Sequence, residues 1–144
     1  MSSSEPHFLR MASDVCVLRR MDGDLQVLLI RRAKDPFKDC WAIPGGRLEA
    51  DENLEQCALR ELQEETGVRV ESVTQFATFS EPDRDPRVRT VSACYLTWVE
   101  GEVDLRAATD AADAEWFSFE GLPELAFDHA QVLRACLSHI QRQS

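Results

Sequence analysis

The 144-residue chain has room for one compact domain with a continuous core and none for a second folded module. Hydrophobic residues at 44% against charged residues at 29% describe a globular protein and exclude an intrinsically disordered one. Twenty-six acids against sixteen Lys and Arg leave a formal charge of -10, which disfavours nucleic-acid and membrane partners, and a small anionic substrate needs metal ions or placed arginines to enter such a field.

Residues 1–7 are polar and predict a flexible N-terminal tail ahead of a single domain over 8–144. Neither a secretory leader nor an apolar run of membrane-spanning length is visible, so the expected address is cytoplasmic. Apolar runs at 12–18 and 27–30 predict strands, joined through Met21-Asp22-Gly23-Asp24 by a hairpin turn of the kind an Asp-Gly pair favours. Trp41-Ala42-Ile43 leads to a sharp break at Pro44-Gly45-Gly46. A helix is predicted from Asn53, which forms a capping-box pattern with Gln56, to the stop at Gly67. Stretches 68–79 and 88–99 predict longer strands around an irregular, charged loop at 80–87 that carries Pro82 and Pro86. Another strand is predicted at 114–119, and Asp128 is expected to cap a last helix with the apolar face Ala130, Leu133, Cys136, Leu137 and Ile140. The class is α/β. Five scattered cysteines, Cys16, Cys40, Cys57, Cys94 and Cys136, form no metal or redox motif and are expected as reduced core thiols.

The first helix carries acids where its core face should continue. Leu54, Cys57 and Ala58 begin a stripe with helical spacing that runs on through Glu61, Leu62 and Glu65, with Glu64 at its edge. At about 5 Å and an effective dielectric near 20, each ionised pair costs roughly 3 kcal/mol. Protons or a cation must intervene. A Glu-rich helix segment ordinarily means a solvated face. Here the acids prolong an apolar stripe behind a glycine-rich turn, and hard oxygen ligands so placed suit Mg2+ or Mn2+.

Gly46, Glu52 after five residues, and Arg60-Glu61-Leu62-Gln63-Glu64-Glu65-Thr66-Gly67-Val68 after seven more together resemble a complete Nudix box. The resemblance implies a Nudix-type α/β/α sandwich with a central mixed sheet. It also implies a pyrophosphohydrolase in which a metal-activated water attacks one phosphorus of a diphosphate. By matching position, Glu61 and Glu65 are the implied principal metal ligands, and Glu64 is a further ligand or a partner of Arg60. The Gly45 or Gly46 backbone lies against the metals, and Glu52 and Arg60 hold loop and helix in register. Arg60 and Glu64 are also spaced as an i, i+4 ion pair, a structural role weighed above direct catalysis for Arg60. A general base outside the box is sought among Glu102, Asp104, Asp110 and Asp113.

The loop 80–87, the strand after it and Leu125-Ala126-Phe127-Asp128-His129 resemble the ADP-ribose pyrophosphatase branch. That likeness implies conversion of ADP-ribose to AMP and ribose 5-phosphate, and a homodimer. Two alternatives stay open: a nucleoside triphosphate pyrophosphohydrolase that cleans the nucleotide pool, and a non-catalytic ADP-ribose sensor. The sensor ranks lower because such proteins carry a DNA-binding extension, and no basic segment follows the last predicted helix. Arg84 or Arg87 either grips a substrate phosphate or pairs with Asp83 and Asp85. Phe37 and Trp41 either stack on a base or pack in the core. His129 reads as a first-turn helix residue, with Asp128 and Gln131 explaining the local pattern as capping.

Overall fold

The computed structural model describes residues 8–106 and 111–143; the expected tail at 1–7 and the candidate base Asp110 lie outside them. In chain order the elements are β1 (Arg10–Met21), β2 (Asp24–Arg32), β3 (Trp41–Ala42), β4 (Gly45–Arg47), α1 (Leu54–Thr66), β5 (Thr74–Phe79), β6 (Thr90–Trp98), β7 (Ala111–Ser118) and α2 (His129–Gln143). Asp22 and Gly23 both take positive φ, 54° and 82°, as a two-residue hairpin requires, and they set the β1–β2 register Met21↔Asp24 through Leu18↔Val27. β6 runs parallel to β1, Arg10↔Thr90 to Leu18↔Trp98, while the other pairings are antiparallel. The sheet is therefore mixed, in the order β3-β2-β1-β6-β5, with β4 added to β1 and β7 to β2.

Two-residue alternation along β1 sends side chains to opposite faces. Val15 and Val17 join Leu28, Ala93 and Tyr95 under Ala58 and Leu62 of α1. Cys16 and Leu18 join Val27, Leu29, Cys94 and Leu96 under Val132, Leu133 and Cys136 of α2. With a helix on each face, both halves of the alternation are apolar, which explains the continuous hydrophobic runs at 15–18 and 27–30. The result is the expected α/β/α sandwich.

Several boundaries differ from the sequence reading, each for a local reason. Gly45–Arg47 form β4, paired to Ala12–Asp14 of β1, where only a break was expected. The strand expected from 68 starts at Thr74, because its partner β6 ends at Trp98 and Thr74 already faces Leu96. Upstream, side chains satisfy the backbone instead: the Thr66 hydroxyl accepts the Val68 N–H, and the Thr97 hydroxyl donates to the Ser72 carbonyl. The buried face of α2 is His129, Val132, Leu133 and Cys136, rotated from the expected one so that Ala130 is exposed. All five cysteines are free thiols, four of them buried and Cys40 partly exposed. Among the described residues no helix is long and apolar enough to cross a membrane.

Candidate active site

Helix α1 is fixed at both ends as its sequence predicts. Asn53 Oδ1 accepts the Gln56 N–H at 2.8 Å, Gln56 Oε1 accepts the Asn53 N–H at 2.9 Å, and Gly67, at φ 79°, closes the other end on the Gln63 carbonyl. Arg60 then gathers the surrounding acids. Its Nη2 and Nε reach Glu52 at 2.7 and 2.9 Å, and its Nη1 reaches Glu61 at 2.6 Å and Glu64 at 3.2 Å. Nη2 also donates to the Arg47 carbonyl, tying α1 to β4. Glu52 accepts the Glu49 N–H as well, and the Arg60 guanidinium above all holds its carboxyl down at about 2. Glu52 and Arg60 are thus placed as a brace between loop and helix.

Behind this brace the box meets the sheet. The Gly45 N–H donates to Glu65 Oε1 at 3.1 Å. A Cβ on Gly46 would stand 2.5 Å from the Glu61 carboxyl carbon, and one on Gly45 would collide with Asp14, so both positions require glycine. Burial, then contact with the Glu61 carboxyl, pushes Glu65 well above the ordinary carboxylate range. Glu64 lies on Arg60 and lines the same opening as Glu61 and Glu65, with 59% of its side chain exposed. Of the three helix carboxylates, Glu61 and Glu65 meet, and Glu64 shares Arg60 Nη1 with Glu61. Asp14 lines the same cleft from β1; burial raises it to about 7, with Arg84 opposing and Asp128 reinforcing the shift.

The same cleft also carries cations. Arg10, Arg32, Lys34, Arg47 and Arg87 line an opening of about 540 Å3 that also contains Glu61, Glu64 and Glu65. Arg87 is held bidentately by Asp85, at 3.1 and 2.8 Å. Burial, then the charge of Arg87, pulls Arg32 below its ordinary value, with Asp85, Glu65 and Asp35 opposing the shift. Arg32 and Arg87 lie 5.0 and 5.5 Å from the Phe127 ring centroid, and Phe37 packs against that ring at 4.8 Å between centroids. Phe37 and Phe127 both sit at positive φ, 61° and 52°, a strained backbone for bulky residues, and Phe127 lines the cleft.

Other expected residues lie elsewhere. Arg84 turns inward, its side chain 5% exposed, and holds Asp128 through two bonds of 2.9 Å and Ser92 through one of 2.7 Å. Asp128 therefore serves Arg84, where a helix cap was expected. Trp41 packs edge-on against Phe117 beside the α2-side core. Glu102, Asp104 and Asp113 do not line the cleft. The sequence reading passed over Asp14, Arg10, Arg32 and Arg47; only Asp14 left a trace, as a polar Ser13-Asp14 pair inside an otherwise apolar run.

The NUDIX domain model matches residues 9–136. The chain belongs to this family. It is 40% identical over 114 residues to an ADP-ribose pyrophosphatase of Methanocaldococcus jannaschii, covering 79% of this chain and 67% of that protein. It is 33% identical over 138 residues to the ADPR responsive transcriptional repressor NtrR of Acinetobacter baylyi, covering 93% of this chain and 55% of the repressor. Among solved structures, the NUDIX domain of Shewanella oneidensis NrtR complexed with ADP ribose superposes with a TM-score of 0.84 at 30% identity, over 90% of this chain and 87% of that one. The chain thus spans about half to two thirds of the curated relatives' length. Family model and pyrophosphatase relative together support a Nudix pyrophosphohydrolase.

The Nudix residues fit a hard divalent cation in part. Glu61 and Glu65 bring carboxylate oxygens into contact beside a glycine backbone, and their shared charge is uncompensated from the Glu65 side. No group of three or more His, Cys, Asp or Glu residues gathered for a metal occurs among the described residues, in keeping with Glu64 lying on Arg60.

Proposed function

We propose that this chain hydrolyses the diphosphate linkage of a nucleoside diphosphate derivative, with ADP-ribose converted to AMP and ribose 5-phosphate. The observation that carries this reading is the mixed cleft: a protein of net charge -10 lines one opening with three carboxylates and five cationic side chains. The cations attract and hold phosphate oxygens that the overall field would repel. Glu61 and Glu65, with the Gly45 backbone beside them, are the residues to hold Mg2+ or Mn2+, which would activate water and neutralise the diphosphate. Arg60 and Glu52 keep those carboxylates in place, and Glu64 completes the set only by leaving Arg60. Arg87 and Gly46 line the cleft and Phe37 packs on Phe127 beside it, which supports a part for them in substrate binding, whereas the inward pairing of Arg84 favours a structural role.

Likeness to NtrR and to the ADP-ribose complex of NrtR favours ADP-ribose as ligand, and it also keeps a binding-only sensor in view. One assay separates the readings. ADP-ribose, other nucleotide sugars and nucleoside triphosphates are incubated with Mg2+ or Mn2+, and the products identified. AMP and ribose 5-phosphate are expected. A monophosphate with pyrophosphate from triphosphates instead would indicate a pool-cleaning enzyme, and tight ADP-ribose binding without turnover would indicate a sensor.

A further inference from the structure

The carboxylates and arginines of the cleft leave one of its buried polar residues without a task. His129 opens α2 and is 6% exposed, yet its ring lines the cleft. Its Nδ1 accepts the Ile43 N–H at 2.9 Å. A nitrogen that accepts carries no proton, so the neutral ring bears its proton on Nε2. Burial pushes the imidazole down to about 4, which keeps it neutral at ordinary pH. Among the described residues no acceptor takes the Nε2–H. The structure thus holds a neutral donor of fixed tautomer against the cleft wall.

Its surroundings say what kind of atom it would meet. Ile30, Ala42 and Phe127 line the same cleft, Phe127 at 5.5 Å from the ring between centroids, and the charges of Asp128, Arg84 and Arg32 act on the imidazole. Phosphate oxygens are better served by the cations of the cleft. A neutral N–H pairs well with an uncharged acceptor, and a site built around such a bond rejects ligands that lack one. We propose that His129 is a specificity-determining residue whose Nε2–H donates to an uncharged acceptor of the substrate's nucleoside, a ring nitrogen or a hydroxyl oxygen. This assignment rests on the diphosphate reading for the presence of a nucleoside.

Two substitutions separate recognition from structure. His129→Asn keeps an acceptor near the Nδ1 position for Ile43 but has nothing at Nε2. His129→Gln reaches the Nε2 position with a donor but leaves Ile43 unpaired. AMP and inorganic phosphate are titrated calorimetrically into the full chain with EDTA present, and unfolding temperatures are recorded. The Asn variant is expected to unfold within a few degrees of wild type, lose AMP affinity about tenfold and bind phosphate unchanged, as loss of one neutral hydrogen bond predicts. The Gln variant is expected to unfold earlier yet keep AMP affinity within about threefold.

Wild-type AMP affinity in the Asn variant, or no AMP binding by wild type, overturns the proposal. So does a 15N spectrum placing the proton of His129 on Nδ1. AMP binding that depends on His129, in a protein that hydrolyses no nucleotide diphosphate, supports it while sinking the hydrolase reading. Hydrolysis with an unchanged KM in the Asn variant overturns it and leaves the hydrolase reading intact.

Discussion

Replacing Arg84 separates substrate contact from internal support. Its guanidinium is 5% exposed and the Asp128 carboxylate 11%, joined by two bonds of 2.9 Å, with a third bond of 2.7 Å to Ser92. Arg84→Met keeps most of the side-chain volume but strands the Asp128 charge in a nearly dry place. Breaking one partner of such a pair costs about 3 to 5 kcal/mol. For a chain of this length, unfolding entropy near 2.1 cal/mol/K per residue turns that into a fall of roughly 10 to 16 °C in unfolding temperature. Arg84→Met/Asp128→Leu removes both charges and is expected within about 1 kcal/mol of wild type, since burying a well-paired ion pair gains little over apolar residues of like size. Urea unfolding followed by tryptophan fluorescence gives the four free energies of the cycle. If Arg84→Met costs less than about 1 kcal/mol and instead abolishes nucleotide binding, the guanidinium belongs to the substrate and the inward geometry misleads.

Other perturbations follow from the box and from α2. Glu65→Gln is expected to lower kcat by about 100-fold or more while leaving the circular dichroism unchanged; the unfolding temperature should hold or rise, because the folded chain resists a charge at this position. Near-normal turnover would mean Glu65 holds no metal. Gly46→Ala puts a methyl 2.5 Å from the Glu61 carboxyl and is expected to weaken Mn2+ binding, followed by electron paramagnetic resonance, about tenfold or more. For pH, burial lowers His129 from 6.5 to about 4, so between those values the unfolded chain binds the proton and the folded chain does not. Stability should fall as pH drops through that window, by at most about 3 kcal/mol from this residue. Urea midpoints in the His129→Asn variant, lacking the imidazole, should decline less steeply there, and an equal slope would refute the burial argument.

What could be read along the chain was whatever chemistry acts within a few residues. The hairpin at Asp22-Gly23 depends on two φ angles, the capping box on a pair three apart, and the carboxylate face on helical spacing between 54 and 65. The spacing of Gly46, Glu52 and Arg60 was legible for a related reason: the brace has to cross from loop to helix in a set number of residues. Partners set by sheet register were not legible. Arg84 and Asp128 are 44 positions apart, Ile43 and His129 are 86 apart, and no local pattern marks either pair. Asp128 before a helix looks like a cap, and a cap is what local rules would assign it. The distant guanidinium won because a buried charge needs an ion more than a frayed turn needs a carboxylate.

Net charge misleads in the same way if it is taken as a property of the site. A formal charge of -10 describes the field far from the surface, and there it opposes any polyanion. Within a cleft the nearest charges dominate, since screening removes contributions beyond about 10 Å at ordinary ionic strength. Arg10 comes from β1, Arg32 from β2 and Arg47 from β4, and the β1–β4 register Ala12↔Arg47 helps bring them to one wall. Arg87 joins from the loop before β6, where Asp85 fixes its direction. An acidic chain can therefore receive a diphosphate once the sheet is assembled. Binding should accordingly weaken with added salt despite the acidic exterior, because the charges a substrate meets in the cleft are the cations of that wall.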